Sequence, residues 1–214
     1  MKKINFLLKN IFCLSFLMLC FSCSKPGDSL VNQAIDSFQK GEYENSIELF
    51  NQALQSETRY SDEFIFNLLS NVYAAQDDFE TSALYLEKSL SKKSDYRGFC
   101  TLGMNYQTLK QFDKAEENYF KAVQMNPKKG EAYASLGILY LEQNEDSKAL
   151  EYLLKGAEYA PKIAVIHANL AVVYAKLGQT DKIAAELKLA EELQCVNLGQ
   201  FEDKIQNILS KSKQ

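Results

Sequence analysis

Phe99-x-x-Leu102-Gly103-x-x-Tyr106, then Ala115-x-x-x-Tyr119, then Pro127, is the stretch that decides this fold. It returns 34 residues later as Tyr133-x-x-Leu136-Gly137-x-x-Tyr140, Ala149-x-x-x-Leu153 and Pro161. A large residue, then Leu-Gly, then Tyr places its marked positions three, four and seven apart, on one stripe of a first helix. Glycine in that stripe removes a side chain, so a second helix can approach closely, at a helix-propensity cost of about 1 kcal/mol. Ala115 and Ala149 supply the matching small surface on the second helix. Pro127 and Pro161 end that helix before the next copy begins.

Working outward from this register, with Leu-Gly at frame positions seven and eight, weaker copies stand on both sides. One starts near Ala164, with Leu170, Ala171, Tyr174, Gly178, Leu187 and Ala190, and has Cys195 where the proline belongs. An earlier one starts near Glu63, with Phe66, Leu69, Ser70, Tyr73, Phe79, Ser82, Leu86 and Ser89, and the first starts near Gly27, with Leu30, Ala34, Gly41, Tyr43, Ser46, Phe50 and Ala53. The pattern resembles the tetratricopeptide repeat. That resemblance implies an all-α fold, a right-handed superhelical solenoid of about five helix pairs spanning residues 27–197, with frames at about 27–62, 63–95, 96–129, 130–163 and 164–197. Beyond the last frame, Phe201, Ile205, Ile208 and Leu209 recur at helical spacing among charged residues. That is an amphipathic helix able to cover the open end of a solenoid, within a capping helix and polar tail over 198–214.

The amino end follows a different plan. Lys2, Lys3 and Lys9 precede an apolar run from Ile11 to Phe21, then Ser22 and Cys23. A basic start and a short apolar middle read as a secretory signal over 1–22, too short to span a bilayer as a helix. A small residue directly before a cysteine resembles the bacterial lipoprotein signal, which implies that Cys23 is acylated, for example with palmitate, and becomes the first mature residue. The alternative is a segment retained as an uncleaved anchor or cut elsewhere. Both place the soluble part outside the cytoplasm, at the cell membrane or outer membrane, with the periplasmic side expected. Ser24 to Asp28 then form a short tether between Cys23 and the repeats.

Composition and residue chemistry narrow the function. The formal charge of −4 becomes −7 once residues 1–22, with three lysines and no acid, are removed. A net negative chain without a basic patch argues against nucleic acid. Cys100 and Cys195 lie about two repeats apart, beyond disulfide reach, and are expected as separate thiols. The single histidine, His167, occupies frame position four, where Phe66, Phe99 and Tyr133 stand in other copies, and reads as a core residue. The doublets Asp77-Asp78, Glu116-Glu117 and Glu191-Glu192 read as solvated faces or turns. No ligand cluster, phosphate-cradling glycine loop or nucleophile–base pair is legible, so no catalytic residue, metal or cofactor is expected and the chain is read as a non-enzyme.

Binding is the remaining class. In the family, frame positions two, five, nine and twelve of the first helices line a groove, and their spacing keeps them on one helix face. Carried over, this gives Phe64, Asn67 and Asn71 in the second copy, Arg97 and Met104 in the third, Ile138 and Leu141 in the fourth, and Val172 in the fifth. Ala74, Ala134, Ala168 and Ala175 stand between them and leave room. The lysine of the family's carboxylate clamp is absent, so the expected ligand is an extended or helical segment with apolar anchors, its backbone met by Asn67 and Asn71. The sequence reading is therefore a membrane-anchored adaptor for a protein or peptide partner of a cell-envelope complex, with self-association open. The alternative is an accessory protein that binds a lipid or small molecule.

Overall fold

The computed structural model describes residues 25–211. Cys23 and the signal segment lie outside the described residues, as do the last three positions. Eleven helices and no strands occur among the described residues. They fall into two compact units, divided after Asp78.

The first unit holds α1 (Pro26–Gln39), α2 (Tyr43–Leu54) and α3 (Asp62–Ala75). Its core is Val31, Ala34, Phe50, Ala53, Ile65, Leu69 and Val72, all fully buried. Helix α1 opens with proline in its first turn, where a missing N–H costs nothing. Asp28, three residues into the turn, accepts from the Lys25 backbone N–H at 3.1 Å. The tether expected over Ser24–Asp28 is thus shorter, because Pro26 to Asp28 already belong to α1. Asp28 is buried and also accepts from the Thr58 hydroxyl and the Arg59 backbone N–H, each at 2.8 Å, tying the start of α1 to the turn before α3.

The second unit holds α4 (Phe79–Lys92), α5 (Tyr96–Thr108), α6 (Phe112–Met125), α7 (Gly130–Glu142), α8 (Asp146–Tyr159), α9 (Ala164–Lys176), α10 (Thr180–Glu192) and α11 (Leu198–Lys211). Helices pair as α5 with α6, α7 with α8 and α9 with α10, and each pair stacks through its second helix on the first helix of the next. In the first two of these pairs the pairing contact is one that a glycine permits, whereas α9 carries Ala171 at the same position. A Cβ on Gly103 would stand 2.6 Å from the Tyr119 ring, and one on Gly137 would stand 2.5 Å from Leu153 Cγ and 3.0 Å from its backbone nitrogen.

The residue at frame position fifteen, in the turn between paired helices, is left-handed in every copy: Gly41, Asp77, Lys110, Asn144 and Gly178, with φ from 58 to 79°. In each, the next residue's N–H returns to the carbonyl of frame position eleven, at 2.8 to 3.0 Å, closing the first helix with the same six-residue cap.

Helix α11 is amphipathic, as its spacing predicts, and packs on α9, the first helix of the last pair. The cause lies in the turn before it. Where Pro127 and Pro161 have no N–H, Cys195 donates to the Ala190 carbonyl at 2.9 Å, so α10 ends in a left-handed cap at Gln194. Asn197 is left-handed as well, and the chain reverses into α11.

Two outcomes check this account. Gly137→Ala is expected to lower unfolding free energy by about 1–3 kcal/mol despite the better helix former, because Leu153 and its backbone must move. Gly199→Ala, where nothing lies within 4 Å, is expected to be neutral or stabilising in the same denaturant titration. The hydrogen bond from the Arg59 backbone, helped by Thr58 and Lys25, holds the Asp28 carboxyl below its ordinary 3.8, against the opposing effect of burial. Its contribution is therefore complete above about pH 4 and lost as pH falls through the lowered value. Asp28→Asn should be less stable than the parent at pH 7, and the gap should narrow from pH 4 to pH 2.

Candidate functional site

The eight residues expected in the groove separate into three groups. In the first unit, Phe64, Asn67 and Asn71 share one face of α3. Phe64 and Asn71 are exposed and Asn67 is half-buried. Phe64 stacks on Tyr60, with ring centroids 5.4 Å apart and planes 15° from parallel. These residues form a patch on their own unit.

In the second unit, Arg97, Met104 and Ile138 are accessible, and Met104 is 56% exposed. Met104 and Ile138 meet in an open recess of about 410 Å³ between the first helices α5 and α7. Its apolar floor is bordered by a polar chain. The Tyr119 hydroxyl donates to Gln107 Oε1 at 2.8 Å, Gln107 Nε2 donates to Glu142 Oε1 at 3.0 Å, and the other Glu142 oxygen lies 3.6 Å from Lys110 Nζ. Burial pushes the Tyr119 phenol up, so the hydroxyl keeps the proton it donates. The recess thus offers a flexible thioether and a branched chain inside a neutralised rim. Such a surface is chemically suited to an aliphatic side chain.

Leu141 and Val172 do not belong to the groove floor. Val172 is fully buried and Leu141 is 7% exposed, both inside the apolar cluster that includes Ile205. The reason is α11. Lys176 follows Val172 by one turn on the same stripe of α9 and lines a recess with Gln200, Asp203 and Asn207 of α11, so α11 runs along the face that Ala168, Val172 and Ala175 present. What would be the groove at the last pair is occupied by the chain's own helix.

Several residues escape the frame positions used above. Glu142 stands at thirteen and Lys110 at fifteen, and it is the left-handed backbone of Lys110 that carries this cation toward the next helix pair. A charged residue in the turn was the available signal, and its partner one repeat later became visible only on folding.

His167 is 5% exposed, in the interior as expected. Its Nδ1 lies 2.8 Å from Glu186 Oε2 and its Nε2 3.0 Å from the Pro161 carbonyl, so it joins α9 to α10 and to the preceding turn. Cys100 and Cys195 are free and half-buried, and burial pushes both thiols up, which disfavours thiolate chemistry. Among the described residues no group of His, Cys, Asp and Glu could hold a metal ion, and no helix is long and apolar enough to cross a membrane.

Residues 107–168 match the tetratricopeptide repeat family model. That stretch carries tetratricopeptide repeats. Solved structures agree on the fold of the helix pairs. A crystal structure of MamA is 19% identical with a TM-score of 0.65, covering 75% of this chain and 94% of that one. MamA of Desulfovibrio magneticus RS-1, from residue 41 to its end, is 16% identical with a TM-score of 0.68, covering 78% and 94%. YrrB, a tetratricopeptide repeat protein with an unusual peptide-binding site, is 22% identical with a TM-score of 0.62, covering 82% and 90%. At these identities the likeness is one of fold. No curated protein sequence matches this chain.

Proposed function

We propose that this repeat protein is an adaptor that holds a segment of a partner protein in the recess between α5 and α7, while a lipid on Cys23 keeps it at the extracytoplasmic face of a bacterial membrane. The observation that carries the reading is Met104, 56% exposed beside Ile138 in the recess between the first helices of two successive pairs. An apolar residue so placed, inside a rim whose charges are already paired, gains most by covering an aliphatic anchor of another chain. The peptide-binding site named for YrrB, on the same fold, favours a peptide over a small molecule. The recess is an open trough, which also fits a chain segment better than a lipid that must be enclosed.

The anchor follows from the sequence around Cys23. Helix α1 starts at Pro26, so three Cα steps separate it from Cys23, roughly 10 Å at full extension. A protein held so close to the bilayer meets partners embedded in or attached to that surface. An assembly role in an envelope complex is the function this arrangement supports best.

Photo-crosslinking in cells tests the groove. A photoreactive residue at Met104 or Ile138 is expected to capture one protein that the same residue at exposed Gln124, on α6, does not. Equal capture from both positions, or none from the recess, overturns the reading. For the anchor, Cys23→Ser is expected to move the protein out of the membrane fraction, and full retention there would exclude lipid attachment at this residue.

A further inference from the structure

The antiparallel pairs of the second unit have two ends. One carries the turns between pairs, α4–α5, α6–α7 and α8–α9, together with the α10–α11 turn, and the other carries the turns within pairs, α5–α6, α7–α8 and α9–α10. Exposed apolar surface is divided unequally between them. Met125 and Tyr159, the last residues of α6 and α8, Val165 in the first turn of α9, and Val196 in the α10–α11 turn are all exposed at the first end, Val196 by 79%. The other large apolar residues that the unit exposes, Leu84, Met104 and Leu154, lie along helix bodies. Among the described residues none stands at the opposite end.

The lysines follow the same division. Lys92 ends α4 and Lys93 follows it, Lys128 and Lys129 lie in the α6–α7 turn, and Lys162 lies in the α8–α9 turn. Distant in the chain, they reach one end because the helix pairs repeat. Lys92, Lys93, Lys128 and Lys162 are exposed and have no ion-pair partner among the described residues. Lys129 lies over the Tyr96 ring at 4.5 Å. At the opposite end Lys110, Lys148 and Lys176 are paired with Glu142, Glu145 and Asp146. The carboxylates beside the five lysines are Glu131, Glu158 and Asp95, and Asp95 is engaged as the cap of α5, accepting the Gly98 N–H at 2.7 Å. The α10–α11 turn, preceded by Glu191 and Glu192, adds Val196 and no cation.

Exposed apolar tips among unpaired lysines are the make-up of a surface that rests on a bilayer. The apolar groups enter the interface, a tyrosine sits at headgroup level, and lysine stems lie along apolar surface with their ammonium groups at the phosphates. The chain as a whole carries a formal charge of −4, so an anionic surface repels it least through its lysine-bearing end. The first unit, taken by itself, exposes Phe64 stacked on Tyr60 at its turn between pairs, with the Arg59 guanidinium 5.3 Å from the Tyr60 ring centroid, and its α1 starts three residues after Cys23.

We propose that the end of the second unit bearing the turns between pairs docks on an anionic phospholipid surface. Met125, Tyr159, Val165 and Val196 enter the headgroup layer, and the lysines of the three turns meet lipid phosphates. This rests on the membrane attachment proposed above and adds an orientation to it. The helices of the unit stand on the bilayer by their ends, and the Met104 recess opens sideways, along the membrane.

The test uses the purified chain reconstituted into vesicles of phosphatidylcholine and phosphatidylglycerol, with a nitroxide-labelled lipid as a shallow quencher. A fluorescent residue sensitive to its surroundings is introduced at Val196 or Met125 and, for the opposite end, at exposed Thr180 or Asp113. Quenching and a blue shift are expected at Val196 and Met125 and not at Thr180 or Asp113. Each lysine at an anionic surface favours contact about fivefold. Combined Lys93→Glu, Lys128→Glu and Lys162→Glu changes are therefore expected to abolish the quenching while the protein still floats with the vesicles, and vesicles of phosphatidylcholine alone are expected to do the same. Flotation without quenching at Val196 and Met125, or equal quenching at the two ends, overturns this surface and leaves the anchor standing. Quenching that persists after the three changes, or on neutral vesicles, overturns the selection of anionic lipid. Protein that does not float with the vesicles overturns the anchor and this surface together.

Discussion

The contact between Gly103 and the Tyr119 ring, repeated between Gly137 and Leu153, is the constraint on which the α5–α6 and α7–α8 pairs rest. A Cβ at either glycine would stand well inside contact distance of its neighbour, so the distance between paired helices is fixed by the absence of a side chain. With that distance set, Ala115, Ala122 and Ala149 become fully buried and the tyrosines at frame position eleven are pressed against the second helices. The open recess of the second unit is a consequence. Tyr119, packed on Gly103, forms the base of the Met104 recess, while the other side of α5 turns Leu102 and Tyr106 toward α4 and α6.

The turn between paired helices shows how backbone geometry can be more uniform than sequence. Glycine relieves the left-handed conformation at positions 41 and 178, whereas Asp77, Lys110 and Asn144 adopt it with a Cβ. Non-glycine residues in this region carry strain of about 1 kcal/mol, offset here by the capping hydrogen bond from the following N–H in each copy. At Lys110 the conformation also directs a cation toward Glu142, so a turn residue becomes part of the rim of the Met104 recess.

The end of the array illustrates the effect of one residue type. Proline at frame position thirty-two prevents the cap that Cys195 makes, and the third and fourth copies pass into another helix pair. The fifth makes the cap, reverses at Asn197, and lays Phe201, Ile205 and Ile208 against the apolar cluster of α9. The stripe that stays accessible at Met104 on α5 and Ile138 on α7 is thereby converted to core at Val172 on α9. The accessible face is shorter than the frame positions imply.

The sequence by itself determined the helix pairs, because their spacing, small residues and stops are local chemistry: Leu102-Gly103, Ala115 and Pro127 specify a pair wherever they recur. It also determined that α11 is amphipathic and that His167 is interior, since both follow from periodicity. It did not determine which exposed positions stay exposed. Met104 and Val172 hold the same frame position with similar hydrophobicity, and only the return of α11 makes one accessible and the other core. Nor did it show that Tyr152 stacks on Tyr140 across the helix pair. Local pattern fixes elements, whereas a site depends on which elements fold back over which faces, and that is decided by packing between residues distant in the chain.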